Sequence, residues 1–145
     1  MREIQEIHRR SIQDKDRFWG EQAKRIYWET PFDQVLDHSN PPFARWFVNG
    51  KTNLCYNARD RWLDERGNAP ALIWVSSEVD REKTYTCREL WTEVNAVAAM
   101  LKEQGVGQGD RVLIFMTMIP EAVFAMLACA RLGAFTRLFL ADLPL

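Results

Sequence analysis

The stretch Val112-Leu-Ile-Phe-Met-Thr-Met-Ile-Pro-Glu-Ala-Val-Phe-Ala-Met-Leu-Ala-Cys-Ala-Arg-Leu-Gly-Ala134 constrains the fold more than any other part of the chain. It opens on a short apolar run of the β type, the length of a buried strand. Pro120 then stands where a helix can begin, because the first turn leaves its N–H groups unbonded and proline has none to lose. Glu121 places negative charge near the positive end of the helix dipole. The spacing predicts a buried strand over 112–116, a sharp turn, and a helix over 120–132.

Upstream, Thr86-Cys-Arg-Glu89 has the capping-box form, in which the two end side chains satisfy each other's free backbone N–H groups. Leu90, Val94, Val97 and Leu101 follow at steps of three and four, and Gly105 closes that helix. Gly105-Val-Gly-Gln-Gly-Asp-Arg111 is a tight connection into the next strand. Ala71–Val75 is a β-type run, and Thr84-Tyr85 suggests its hairpin partner. Asn53 can cap a helix reaching about Arg66, stopped by Gly67, with Leu54, Ala58, Trp62 and Leu63 on its buried side. Another helix is expected from about Ser11 to Trp28, starting at Ser11 or Asp14, with Trp19, Ala23, Ile26 and Tyr27 as its apolar stripe; Gly20 interrupts it. Pro31 and Pro41-Pro42 punctuate an aperiodic segment that Phe43, Trp46, Phe47 and Val48 make a sticky strap. Asn49-Gly50 is a turn signal. Helix, strand, helix, strand in succession argues for an α/β layer with a parallel element.

At 145 residues the chain is long enough to bury a sizeable core, and 47% hydrophobic with 27% charged residues is the profile of a globular protein. A formal net charge of -1 gives no electrostatic footprint for nucleic acid or anionic lipid, so neither is expected as a partner. Cys55, Cys87 and Cys129 are sparse, odd in number and far apart, which suits reduced thiols rather than a disulfide framework or a zinc site. The charged start, Met-Arg-Glu-Ile-Gln-Glu, has no apolar signal core, and Pro120-Glu121 and Arg131 break up the most apolar region. A cytoplasmic location is the expectation.

No residue set assembles an active site. The glycines Gly105, Gly107 and Gly109 suggest a phosphate cradle, but such a loop follows a strand and opens a helix, and here the order is reversed. They are expected to cap and turn the chain, with Asp110 and Arg111 as a loop ion pair. His8 and His38 stand 30 residues apart in the least periodic third, with no nucleophile context or metal spacing beside them. Asp60, Asp64 and Glu65 are expected on a wet helix face, partnered by Arg59, Arg61 and Arg66. The tryptophans Trp19, Trp28, Trp46, Trp62, Trp74 and Trp91 are scattered rather than set in a basic groove, which argues against base stacking. Catalytic, cofactor-binding and metal residues are each expected to be none.

Several segments, in order and at fitting distances, resemble the AMP-forming acetyl- and propionyl-CoA synthetases. They are Asn40-Pro-Pro-Phe-Ala-Arg-Trp-Phe-Val-Asn-Gly50, Asn53-Leu-Cys-Tyr-Asn-Ala-Arg-Asp-Arg61, Thr84-Tyr-Thr-Cys-Arg-Glu-Leu90, Gly109-Asp-Arg-Val112 and Met118-Ile-Pro-Glu onward to Gly133. Ala71-Leu-Ile adds a weaker piece. Together they cover about residues 10–134, and the Pro-Pro-Phe-Ala-Arg-Trp-Phe and Thr52-Asn-Leu-Cys pieces lean toward the propionyl-CoA branch. The resemblance implies an α/β fold: an N-terminal helical and aromatic strap, then the first βα units of the large domain of the adenylate-forming fold, incomplete. It implies boundaries at 1–66 for the N-terminal region, 67–134 for the start of the AMP-binding domain, and 135–145 for a divergent tail.

Enzymes of that family join a short carboxylic acid to CoA through an acyl-AMP intermediate, using ATP, Mg and CoA. The phosphate loop, the residues around the adenylate and the catalytic lysine all belong to parts downstream of Ala134. None of Lys15, Lys24, Lys51, Lys83 and Lys102 sits in a matching motif. The resemblance therefore implies a truncated remnant of a propionate–CoA ligase, inactive and aggregation-prone alone and binding no cofactor itself. An acetate–CoA ligase fragment, the front half of a split ligase awaiting its downstream part, and an independent interaction module are the alternatives. Two departures stand out. Thr117 replaces the family's usual proline, and Phe135-Thr-Arg-Leu-Phe-Leu-Ala-Asp-Leu-Pro-Leu145 replaces an Ile-His-Ser-Val-Val-Phe-Gly-Gly-Phe-like run. Codons exist for the tail that, with one A placed in front, translate as Ile-His-Ser-Val-Val-Phe-Gly-Gly-Leu-Ala-Ser. A single-base deletion is the expected cause, and Arg137 would then put a charge in what should be a buried strand.

Overall fold

Where one helix was expected over 11–28, the structure has two. The computed structural model describes residues 2–140. Helix α1 (Arg2–Gln13) and helix α2 (Lys15–Ala23) are separated at Asp14, whose backbone leaves helical geometry at φ -129°, ψ 67°. Ile4, Ile7 and Ile12 carry the period that builds α1, yet all three remain exposed. Arg10 joins the two helices through Glu21 at 2.8 Å. The stripe also differs: Phe18 and Ala23 are buried, while Trp19, Ile26 and Tyr27 are exposed. The chain stops being helical at Ala23, whose carbonyl accepts the Ile26 N–H at 3.1 Å and the Trp28 indole N–H at 3.0 Å.

The strap is a β-hairpin. Strands β1 (Gln34–Asn40) and β2 (Phe43–Val48) pair antiparallel, with Leu36 opposite Trp46 and Asp37 opposite Arg45. The prolines occupy the turn, and the Pro41–Pro42 peptide is cis. Proline is tolerated there because a turn residue owes no ladder hydrogen bond. The rings of Trp28, Phe32 and Phe47 meet with centroids 5.1–5.3 Å apart. Gly50 sits against them so tightly that a Cβ would lie 2.7 Å from the Trp28 ring. These elements belong to the first of two units, Met1–Thr52; the second is Asn53–Leu145.

In the second unit the Asn53 side chain accepts the Tyr56 N–H, as the cap reading requires. The helix it opens is not continuous to Arg66. It divides into α3 (Leu54–Ala58), a 3₁₀ turn at Asp60–Trp62 and α4 (Leu63–Arg66), with the break at Arg59 (φ -140°, ψ -60°). Cys55 is the buried residue; Leu54, Ala58 and Trp62 are exposed and Leu63 is half-buried. Strands β3 (Pro70–Ser76) and β4 (Arg81–Thr86) form the expected hairpin. Helix α5 (Cys87–Glu103) follows with its capping box complete: Thr86 Oγ1 accepts the Glu89 N–H at 3.2 Å, and the Glu89 carboxylate accepts the Thr86 N–H at 2.8 Å.

Strand β5 (Arg111–Met116), helix α6 (Pro120–Leu132) and strand β6 (Phe135–Leu140) make a βαβ unit. β5 and β6 are parallel, with Arg111 opposite Phe135 and Phe115 opposite Phe139. Gly133 ends α6 at φ 74°, a conformation that favours glycine. The α/β reading with a parallel element is borne out. Residues 141–145 of the expected tail lie outside the described residues. Arg137 is exposed and lies 5.1 Å from the Phe139 ring, so it does not carry a buried charge in this structure. The ladder's far face is open, and that is why.

The core lies between α5 and α6. Leu90, Val94 and Ala98 of α5 pack with Phe124 and Ala128 of α6, together with Tyr85 and Cys55. Small residues at 98 and 128 let the helices approach closely, and Tyr85 meets Phe124 edge-on at 5.3 Å. Replacing Thr86 by Ala should lower the unfolding free energy by about 1 kcal/mol in urea titrations. The Glu89 carboxyl is held below its usual range mainly by the Thr86 N–H and hydroxyl. Its share of the cap is therefore complete above the ordinary carboxylate range and is lost as pH falls through the lowered value. A Glu89→Gln variant should show a flatter acid limb in the same titration.

Candidate functional site

The densest polar cluster in the second unit gathers on Arg131, in the last turn of α6. Its Nη1 donates to Asn95 Oδ1 on α5 at 2.7 Å. Its Nη2 donates to Asp60 Oδ1 at 2.8 Å and reaches Cys55 Sγ at 3.5 Å. Asp60 pairs with it at 2.7 Å, both side chains largely covered. Asn53 completes the cluster by donating Nδ2 to the carbonyls of Ala130 and Arg131 in the last turn of α6, where the Ala130 carbonyl also accepts the Gly133 N–H at 3.3 Å. Asp60 thus leaves the wet face expected of it. The kink at Arg59 turns Asp60 inward, and Arg59 itself donates Nη2 to the Cys87 carbonyl at 2.8 Å.

This cluster clasps α3, the 3₁₀ turn, α5 and α6 together. The described hydrogen bonds of the Arg131 guanidinium run to protein groups. Burial pushes the Cys55 thiol above its usual value, and the neighbouring Arg131 only partly offsets that. A thiol so placed is a poor nucleophile. Burial likewise lowers the Arg59 guanidinium from its ordinary value, and Arg59 Nη1 and Arg131 Nε are buried without hydrogen-bond partners. Beside the clasp lies a depression of about 410 Å³ lined by Arg59, Trp62, Arg66, Leu72, Cys87 and Leu127, among others. Trp62 is flanked by Arg61 at 4.6 Å and Arg66 at 5.9 Å.

The glycine loop is a turn. Gly105 and Gly109 both adopt φ 86°, which explains glycine at those two positions. The loop's N–H groups are spent within the protein: Gly107 donates to Asp110 Oδ2 at 2.8 Å, Gly109 to the Gly133 carbonyl at 3.0 Å, and Asp110 to the Gly107 carbonyl at 3.3 Å. They do not converge on an anion site, so the loop does not fit a nucleotide phosphate. Asp110 is occupied by its own loop, which replaces the expected pairing with Arg111. His8 lies on α1 and His38 on β1, both exposed. Among the described residues no group of three or more His, Cys, Asp or Glu could hold a metal ion, and no helix is long and apolar enough to cross a membrane.

Sequence reasoning missed the clasp because its members, residues 53, 55, 60, 95 and 131, are joined only by the fold. The one available signal was Arg131 at the end of an otherwise apolar helix. Replacing Arg131 by Met strands the Asp60 carboxylate and should cost about 2 kcal/mol, below the full penalty for a buried pair because both side chains keep some solvent. A double-mutant cycle with Asp60→Asn should return a coupling of about 1 kcal/mol. In the native protein a thiol reagent should label Cys87 well before Cys55 and Cys129, which are both fully buried.

The acetyl-coenzyme A synthetase N-terminus family model matches residues 4–58, and the AMP-binding enzyme model matches residues 60–144. The chain is 61% identical over 129 residues to the propionate–CoA ligase of Escherichia coli strain K12, covering 89% of this chain and 20% of that protein. It is 48% identical over 133 residues to the acetyl-coenzyme A synthetase of Xanthobacter autotrophicus, again over 90% of this chain and 20% of that one. Among solved structures, acetoacetyl-CoA synthetase from Streptomyces lividans superposes on 93% of this chain and 21% of its own, with a TM-score of 0.85 at 34% identity. The chain spans about a fifth of the length of these relatives, at their N-terminal end. It belongs to the AMP-binding enzyme family, as an N-terminal piece of the propionate–CoA ligase and acetyl-coenzyme A synthetase type.

Proposed function

We propose that this chain is the front part of a propionate–CoA ligase, which supplies scaffold and not chemistry. The observation that carries this is the 61% identity to a propionate–CoA ligase against 48% to an acetyl-coenzyme A synthetase over nearly the same span. The polar groups support it. The Arg131 clasp is spent on structure, the glycine-loop donors are spent on the turn, and the described lysines match no adenylate motif. ATP, Mg and CoA belong to the intact ligase, in which carboxylate and ATP give an acyl-AMP that CoA then captures. The residues described here do not fit those groups, and no catalytic step is assigned to them. The cytoplasm is the proposed location.

We further propose that residues 135–145 arise from a one-base deletion in a ligase gene. The gene sequence just past codon 134 tests this: a one-base insertion should restore the Ile-His-Ser-Val-Val-Phe-Gly-Gly run, and failure of every such insertion refutes it. The scaffold role is tested by a chimera in which residues 1–134 replace the matching segment of the E. coli propionate–CoA ligase. The chimera should retain propionate-dependent acyl-CoA formation and the parent's preference for propionate over acetate. A folded, soluble chimera without activity would contradict the proposal.

A further inference from the structure

The depression beside the clasp has a cationic wall and an apolar floor. Its volume, about 410 Å³, falls in the range of small-molecule sites, roughly 300–1,000 Å³. The bend after α3 supplies Arg59, the 3₁₀ turn Trp62 and α4 Arg66. Leu72 comes from β3, Leu90 from α5, and Val123 and Leu127 from α6. Leu72, Val123 and Leu127 are only half-buried, so the depression leaves apolar surface in contact with water. No acidic residue lines it.

Arg59 says most about the occupant. Its Nη2 is fixed on the Cys87 carbonyl at 2.8 Å, which holds the guanidinium in place. Its Nη1 is buried and has no hydrogen-bond partner. A buried cationic donor without an acceptor is costly, so this position calls for one. The carboxylate next in sequence is committed elsewhere, since Asp60 pairs with Arg131 at 2.7 Å. Arg66 adds a second guanidinium to the wall, and among the described residues neither Arg59 nor Arg66 has an ion-pair partner. Burial lowers the Arg59 guanidinium from its ordinary value, the direction of a cation that would gain from a counter-charge. A water molecule would satisfy the donor but leave the charge and the floor unanswered. Inorganic phosphate would answer the charge alone. An anionic head on an apolar body answers both.

We infer that this depression is a binding site for a medium-chain carboxylate, with its oxygens on Arg59 Nη1 and Arg66 and its alkyl chain over Leu72, Leu90, Val123 and Leu127. An acid of about eight carbons suits a site of this size. The inference stands on the cavity itself and does not rest on the ligase reading, which the chimera tests separately.

The 145-residue chain carries its own reporter. Cys87 lines the depression and is partly exposed, whereas Cys55 and Cys129 are buried. Octanoate should slow the reaction of Cys87 with N-ethylmaleimide saturably, about tenfold at about ten times its half-saturating concentration. Each buried methylene is worth about fourfold in affinity, so hexanoate should need about fifteenfold more for the same protection. Octylammonium, an equal chain with the opposite charge, should give no protection, and neither should inorganic phosphate. Arg59→Gln should raise the half-saturating concentration of octanoate about tenfold. Because Arg59 also holds the Cys87 carbonyl, Arg66→Gln is the companion variant: its side chain is exposed, it should keep the parent's thermal melt, and it should cost about threefold. Absence of octanoate protection, equal protection by octylammonium, or a flat response to chain length overturns the inference. So does protection that is unchanged in both variants, or phosphate protection as strong as octanoate's, since the floor would then play no part.

Discussion

One guanidinium holds the second unit together. Arg131 reaches α5 through Asn95, the 3₁₀ turn through Asp60, and α3 through Cys55, while Asn53 caps the helix that carries it. The position suits the charge, since a cation in the last turn of a helix meets the negative end of the dipole. With α6 fixed at its C-terminus, Gly133 can reverse the chain and lay β6 parallel to β5. The hydrophobic contribution is larger in sum, through Leu90, Val94, Phe124 and Ala128, but it is non-directional. The clasp fixes which helix turn meets which.

That division explains what was legible in the sequence. The elements with strong local signals came through: the capping box at Thr86, the Leu90-Val94 stripe, Pro120 at a helix start, and the β3–β4 hairpin. Their determinants lie within a few residues of one another, so they survive any tertiary context. The misreadings have a common origin. Asp60 reads as a solvent-facing residue because its neighbours are charged, and the bend at Arg59 sends it to a partner 71 residues away. The β1–β2 hairpin lacks the alternation that marks a strand because the first unit buries so little: among its described residues only Phe18 and Ala23 are buried. Ile4, Ile7 and Ile12 carry a helical period, yet all three stay exposed, so α1 has the pattern of a buried stripe without the burial.

The site question followed the same rule in reverse. The glycine loop had the composition of a phosphate cradle but the wrong order of elements, and its donors are spent on Asp110 and Gly133. What the sequence did carry was family membership, through motifs distributed along nearly its whole length. On the parallel β5–β6 ladder Ile114 is buried on one side, and Leu113, Phe115, Phe135 and Phe139 stay exposed on the other.

The central claim is that these residues build a scaffold and do not handle a nucleotide. The most direct measurement is pyrophosphate release from ATP by the purified 145-residue chain, with Mg and propionate present and absent. The account predicts no release above background in either case. Release that depends on propionate would contradict it.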